Sequence, residues 1–378
     1  MAWLQSIVSS QWWPLIVALM AVLLIQLIYY WFIFSRLAFY NHAKRPVTDS
    51  KEPVSVIICA KNEYHNLVRF LPKVLDQNYP EFEVVVVNDA SDDDTYYLLR
   101  ELADKYPHLK LVNITQNLNF FTGKKFPLSI GIKSAKYDLV LLADADCFPS
   151  GPDWIESMQS VFTGKTEIVL GYGPYAPQPG ILNRIIRYDT LMVAVQYMSL
   201  ALAGMPYMGV GRNLAYRKSL FFNIGGFVKH YKISSGDDDL FINQVARGSN
   251  TRIQPLAAGH TFSKSKQTFS SWFRQKKRHL TTGRLYRPGH KLVLGLFSFS
   301  QLAFFGLLTA LLIFRVDWML LAGIFGVRLI SQLIIVKKSM IRLNEKHFFL
   351  LSPLFEIILM MINLILGFTG LFSKKTQW

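Results

Sequence analysis

Asp144 and Asp146 stand two residues apart at the end of an apolar run, Leu139–Ala143. In extended backbone such residues point the same way. Two carboxylates on one side suit a hard divalent ion, Mg2+ or Mn2+, that keeps positions open for phosphate oxygens. Lys124 and Lys125 follow Gly123 and have the charge to offset a diphosphate; a solvated lysine pair is the alternative. A second acidic cluster, Gly236-Asp237-Asp238-Asp239-Leu240, offers a general base toward an acceptor hydroxyl, against a plain solvated helix start. Asn62-Glu63 and Asn88-Asp89 also sit at the ends of apolar runs. Any one of these acidic groups is equally a helix cap, but together at matching strand ends they point to one anionic pocket. Gln275 and Arg278 are three apart, so on a helix they share a face.

Such a pocket needs a scaffold that gathers strand ends. Short apolar runs at Val54–Ala60, Phe82–Asn88, Lys110–Thr115, Leu139–Ala143 and Ile168–Tyr172 alternate with amphipathic stretches such as Glu63–Leu75 and Thr95–Lys105. Near-continuous Val/Ile/Leu runs are buried on both faces, and the alternation predicts an α/β domain with a mostly parallel sheet. Ligands of such sheets bind beyond the carboxyl ends of the strands.

The chain has 378 residues, of which 51% are hydrophobic and only 17% charged. That excludes a disordered chain and disfavours a simple soluble enzyme. Two cysteines exclude a disulfide scaffold and multi-cysteine metal sites. Four apolar stretches reach membrane-spanning length: Pro14–Phe34, Leu292–Phe314, Trp318–Val336 with Arg328 inside it, and Phe348–Phe372 with Glu356 inside it. Leu191–Met205 is too short to span and reads as a core or interfacial helix. Flanking Lys/Arg place the N-terminus outside and residues 36–291 in the cytoplasm. Lys374 and Lys375 break that rule. Arg328 and Glu356 fall at equal depths of about 12 Å, which predicts a salt bridge; the alternative is that one of them lines an acceptor path.

The division expected is 1–45 for the first membrane helix and linker and 46–260 for the α/β domain. A basic membrane-proximal segment at 261–291 and the remaining membrane helices at 292–378 follow. The segment Thr261–Lys291 holds nine Lys/Arg and no Asp or Glu, more than half of the formal net charge of +16. Anionic lipid headgroups are its expected partner. A nucleic-acid partner is not expected, because the charge is concentrated beside the membrane and no nucleic-acid motif is present.

Together these pieces resemble the membrane-embedded inverting family 2 glycosyltransferases, with a GT-A nucleotide-sugar domain of Rossmann-like, mostly parallel sheet. Val54–Glu63 is similar to the family's opening strand and "NE" turn, and Val87–Thr95 to its "DDxSxDxT" element. Asp144-Ala145-Asp146 matches DxD, Asp237 falls at the "ED" motif, and Gln275–His279 is similar to "QxxRW". The resemblance implies that Glu63 and Asp89 hold the nucleoside. It puts Asp144 and Asp146 at the diphosphate and metal, Asp146 being the direct ligand; Lys124, read from its own position after Gly123, is placed with the nucleotide-sugar. Asp237 would deprotonate the acceptor, and Gln275 and Arg278 would close over the donor. Arg212, Asn213 and His279 would border the acceptor.

Three departures bear on this. Gly236 replaces the first acid of "ED", so Asp238 is the alternative base. Asn88 replaces the first Asp of its pair. His279 replaces a Trp that stacks on the acceptor sugar in polymer-making relatives, which favours single transfer to a lipid-linked acceptor over a processive polysaccharide synthase. The resemblance favours a UDP-sugar donor, hexosyl or N-acetylhexosaminyl transfer, and a bacterial inner (plasma) membrane setting. A non-catalytic membrane scaffold and a basic nucleic-acid binder are the remote alternatives.

Overall fold

The computed structural model describes residues 11–44, 47–116, 123–231, 233 and 235–372. Lys374 and Lys375, the exceptions to the charge rule, lie outside the described residues. The chain opens with a long apolar helix, α1 (Trp13–Ala38), with Pro14 in its first turn and a π-helical stretch at Tyr29–Phe34. The α/β unit follows as β1 (Val54–Ala60), α2 (Tyr64–Leu75), β2 (Phe82–Asp89), α3 (Thr95–Lys105), β3 (Leu109–Ile114), α4 (Lys125–Ser134), β4 (Leu139–Asp144), β5 (Cys147–Pro149) and α5 (Trp154–Gln159). It continues with β6 (Ile168–Gly171), α6 (Ile181–Leu202), β7 (Leu214–Arg217), α7 (Lys218–Asn223), α8 (Asp239–Val245), β8 (Thr251–Gln254), β9 (Thr261–Ser263) and α9 (Phe269–Gly283). Three further apolar helices close the chain: α10 (Pro288–Ile313), α11 (Trp318–Arg342) and α12 (Ser352–Phe372). With α1, they make four helices long and apolar enough to cross a membrane.

The main sheet has the order β3-β2-β1-β4-β7-β6-β8. β1 to β4 pair in parallel, as their unbroken apolar runs require. β7 runs antiparallel to both β4 and β6, and β8 is parallel to β6. β5 and β9 form a separate two-stranded ribbon. Alternate side chains serve the two faces. Val54, Val56 and Ile58 pack with Leu67 and Leu71 of α2. Ile57 joins the opposite core with Leu128 and Ile132 of α4.

That second core does not stop at the α/β unit. It runs on through α6 into Tyr30 and Phe34 of α1, Phe297 of α10, Val336 of α11 and Phe355 of α12. α6 carries the short apolar run from Leu191, and Leu191, Val195 and Met198 are buried, so it is a core helix. A buried ion pair adds a polar tie: Arg187 of α6 bonds Glu345, in the loop between α11 and α12, and the Tyr172 hydroxyl donates to the same carboxylate at 3.0 Å.

The expected Arg328–Glu356 pair is present. Arg328 donates to both Glu356 oxygens, at 3.0 and 2.7 Å, and through Nε to Gln26 Oε1 at 2.7 Å. Gln301 Nε2 donates to Glu356 at 2.7 Å, and the Tyr30 hydroxyl does so at 3.3 Å. One ion pair therefore gathers α1, α10, α11 and α12.

Candidate active site

The carboxyl ends of β1, β2 and β4 converge as the strand pattern requires. Asn62 takes a left-handed φ of 56° just past β1 and reaches across to the loop after β2. Its N–H is accepted by Ser91 Oγ at 3.0 Å, and its Oδ1 accepts the Asp92 N–H at 2.8 Å. Asp93 accepts from the Tyr64 and Thr95 N–H groups at 3.2 and 3.0 Å, starting α2 and α3 together. Glu63 accepts from Asn66 Nδ2 at 2.6 Å. Burial raises the Glu63 carboxyl above its usual range, with Asp146 and Asp144 adding to it. Burial also raises Asp89, at the end of β2. Asn88 turns into the sheet and bonds Asn113 Oδ1 at 2.7 Å, so the swap at this position serves the strand pair β2–β3.

Asp144 ends β4, but the chain turns at once through residues 145–146 before β5. The extended-backbone expectation for Asp144 and Asp146 is therefore corrected. They converge through the turn, with ligand atoms of Asp144, Asp146 and Cys147 within 4.8 Å of one another. Burial pushes the Asp144 carboxyl up, and the adjoining Lys124 ammonium more than offsets this, so it titrates below its usual range. Burial and the Asp144 charge together raise Asp146. Two converging oxygen donors, one of them short of compensating positive charge, fit a hard divalent ion. The Cys147 thiol, pushed well up by burial and held against Asp146 at 3.4 Å, contributes no such donor.

The two lysines part ways. Lys124 meets Asp144, whereas Lys125 is 1% exposed and donates to the carbonyls of His230, Ile233 and Ser235, each at 2.7 Å. Lys125 thus holds the loop that leads to the acidic cluster and does not face a diphosphate.

Within that cluster each Asp has a different task. Asp238 caps α8, accepting from the Gly211 and Asp239 N–H groups at 2.8 and 2.7 Å. Asp239 is buried and accepts from the Tyr286 hydroxyl at 2.7 Å and from Thr282 Oγ1, clamping α8 to α9 and its following turn. The Asp237 carboxylate has no partner outside its own residue among the described residues. Burial and the Asp238 charge raise it to about 6.

Lys124, Asp144, Asp237 and Asp238 line a cavity of about 1310 Å3 together with Arg212, Gln275, Arg278 and His279. The Arg212 guanidinium lies 4.4 Å over the Tyr175 ring, and Gln275 Nε2 donates to the Tyr175 hydroxyl at 3.3 Å. Thr268 caps α9, and Lys276 pairs with Asp189 of α6 at 2.6 Å, which fixes the helix that presents Gln275 and Arg278. The same cavity continues between the apolar helices, past Leu294, Gln301 and Leu302 of α10 and Glu356, Leu359 and Asn363 of α12. Glu356 therefore both pairs with Arg328 and borders the cavity.

Asn213 is corrected. It is 0% exposed, donates to the carbonyls of Tyr172 and Gly259 at 2.7 Å each, and accepts from Trp154 Nε1 at 3.1 Å. With its amide saturated inside the core it cannot meet an acceptor. Sequence reasoning missed Tyr175, which has no motif spacing, and the anchoring task of Lys125, which only the fold separates from that of Lys124.

This arrangement is a GT-A architecture. Residues 55–225 match the family described as Glycosyl transferase family 2. Over 236 residues it is 28% identical to the probable glycosyltransferase YdaM of Bacillus subtilis, covering 60% of this chain and 54% of that protein. Over 241 residues it is 27% identical to the poly-beta-1,6-N-acetyl-D-glucosamine synthase of Staphylococcus aureus, again covering 60% of this chain and 54% of the relative. The chain thus spans about half the length of the curated relatives it matches. The fold is similar to that of mannosyltransferase PcManGT from Pyrobaculum calidifontis, solved with GDP-Man and Mn2+, with a TM-score of 0.56 at 20% identity over 87% of this chain and 98% of that one.

Proposed function

We propose that the protein is an inverting glycosyltransferase that moves one sugar from a nucleotide-sugar, a UDP-sugar by family resemblance, to a lipid-linked acceptor at the cytoplasmic membrane face. The observation that carries this reading is the cavity itself. It joins Asp237 and Asp144 to a space between α10 and α12 whose lining is largely aliphatic, including Leu294, Leu302, Leu359, Met360 and Leu364. An apolar acceptor chain has somewhere to lie while its polar end meets the base.

In this mechanism Glu63 and Asp89 hold the nucleoside, Lys124 and Arg278 place positive charge around the diphosphate, and Arg212 borders the acceptor. Asp146, with Asp144 beside it, would hold Mg2+ or Mn2+, which when bound supplies charge that favours departure of the diphosphate. The acceptor oxygen bonds to the anomeric carbon from the face opposite the breaking carbon–diphosphate bond, so configuration inverts. The acceptor proton passes to Asp237, whose raised carboxyl is a stronger base than an ordinary aspartate and is ionised at neutral pH.

Asp146→Ala is expected to weaken metal-dependent binding of UDP at least about tenfold. Calorimetry with and without Mn2+ checks this, and equal affinity in both proteins would remove Asp146 from the ligand set.

The Staphylococcus aureus relative favours a second reading, processive polymer synthesis. Product size decides between them. Membranes containing the protein are incubated with labelled UDP-sugars, Mn2+ and lipid extract. A small solvent-extractable product is expected; a large polymer would establish the second reading.

A further inference from the structure

A second, smaller cavity of about 250 Å3 lies apart from the site above, where α6, α8 and α10 meet. Its wall includes Gly204 and Met205 after α6, Arg247 and Gly248 after α8, and Arg287 and His290 at the start of α10. Arg36, at the end of α1, donates to the Leu202 carbonyl at 3.3 Å, so the apolar helices α1 and α10 both join the α/β unit close by. With α1 and α10 placed across a bilayer, the pocket lies beside their ends, where headgroups would begin. Its volume falls below that of pockets for drug-sized ligands and suits a compact group.

The chemistry is cationic and rich in donors. No carboxylate lines the pocket. The Arg247 guanidinium makes no hydrogen bond or ion pair among the described residues, although its backbone N–H is accepted by Asn250 Oδ1 at 2.8 Å. Arg287 gives one guanidinium nitrogen to the Gln244 carbonyl at 2.6 Å, and its other guanidinium nitrogens make no hydrogen bond among the described residues.

Asn243 sets the state of His290. Its Oδ1 accepts the Arg287 N–H at 3.0 Å and its Nδ2 donates to the Tyr207 carbonyl at 2.9 Å, which fixes the orientation of the amide. That same Nδ2 faces His290 Nδ1 at 3.0 Å, so Nδ1 accepts and the ring proton resides on Nε2. The buried ring thus presents an N–H donor that has no partner among the described residues. The wall behind these groups is also shaped: a Cβ on Gly248 would come within 2.8 Å of the Gly204 backbone, so no side chain at 248 fills the space.

We propose that this pocket binds a phosphate ester anion, held by Arg247, Arg287 and the Nε2–H of His290. The position beside α1 and α10 makes an anionic lipid headgroup the expected source; free phosphate offers the same chemistry. The site is separate from the nucleotide-sugar cavity and does not depend on which acceptor the enzyme uses.

The test uses full-length protein in detergent, titrated with phosphatidylglycerol, phosphatidylcholine or inorganic phosphate and followed by native mass spectrometry and thermal unfolding. Arg247→Gln removes one pocket cation without breaking a hydrogen bond or ion pair among the described residues. Lys266→Gln removes one exposed charge from the basic segment outside the pocket and controls for general electrostatics. Phosphatidylglycerol is expected to bind wild type and Lys266→Gln alike, and Arg247→Gln about tenfold more weakly. The same pattern with inorganic phosphate would keep the site and assign it a soluble anion. Equal binding of every anion by Arg247→Gln and Lys266→Gln would overturn the proposal.

Discussion

Asp237→Asn is expected to lower sugar transfer by about 10²–10⁴-fold, the range over which positioned general bases act, with UDP affinity unchanged. The amide keeps the shape of the carboxylate but cannot take the acceptor proton. Among the described residues no other residue bonds the Asp237 carboxylate, so its replacement breaks no described tie in the fold. The pH profile of the wild type supplies a second readout. A base must be deprotonated to act, so kcat falls as pH drops through about 6, where Asp237 takes up its proton.

Asp238 is also raised to about 6, by burial and by Asp239, so the pH limb alone does not separate the two. Substitution does. Asp238→Asn loses part of the cap on α8 and the contact to Gly211, and it is expected to lower thermal stability along with activity. Retained turnover in Asp237→Asn, with full loss in Asp238→Asn at unchanged stability, would transfer the role to Asp238.

The second large effect is on stability. Arg328→Met leaves Glu356 without its cation and Gln26 Oε1 without its donor, and it is expected to cost about 3–5 kcal/mol. Adding Glu356→Met should recover most of that loss, because the larger part is the penalty of an uncompensated buried charge rather than the worth of the pair. Unfolding of the three proteins in nanodiscs measures this. A double variant no more stable than Arg328→Met would show that the tie to Gln26, not the charge pair, holds the helices. Reversing both charges is a poorer test, since Gln26, Tyr30 and Gln301 are arranged around the present polarity.

Much of this is legible in the sequence alone. β1, β2 and β4 declare themselves because strands buried on both faces must be nearly all Val, Ile and Leu, and Arg328 and Glu356 stand out because charge in an apolar helix needs a partner. β7 does not declare itself. Leu214–Arg217 is only four residues, too short to show a strand period, and its place comes from pairing with β4 and β6. The chemistry-bearing neighbours were the harder part. Arg212 and Asn213 share a motif, yet one reaches the cavity and the other fills the core. Lys124 and Lys125 divide in the same way. The three aspartates at 237–239 are alike in type and differ only in what the fold brings to each. Adjacent residues at the edge of an element diverge in direction, and spacing alone does not say which member faces the site.

The buried Arg187–Glu345 pair, with Tyr172 on the same carboxylate, joins the α/β unit to the turn between the last two apolar helices. Parting such a pair would leave two buried charges uncompensated, which resists sliding of the unit along the helix axes. On the function proposed above, a fixed unit would keep Asp237 at one height over the bilayer, and the enzyme would act as a gauge. An acceptor hydroxyl would then be selected by how far its spacer lifts it from the membrane as well as by its stereochemistry, and an acceptor already lengthened by one sugar would carry its new hydroxyl out of range.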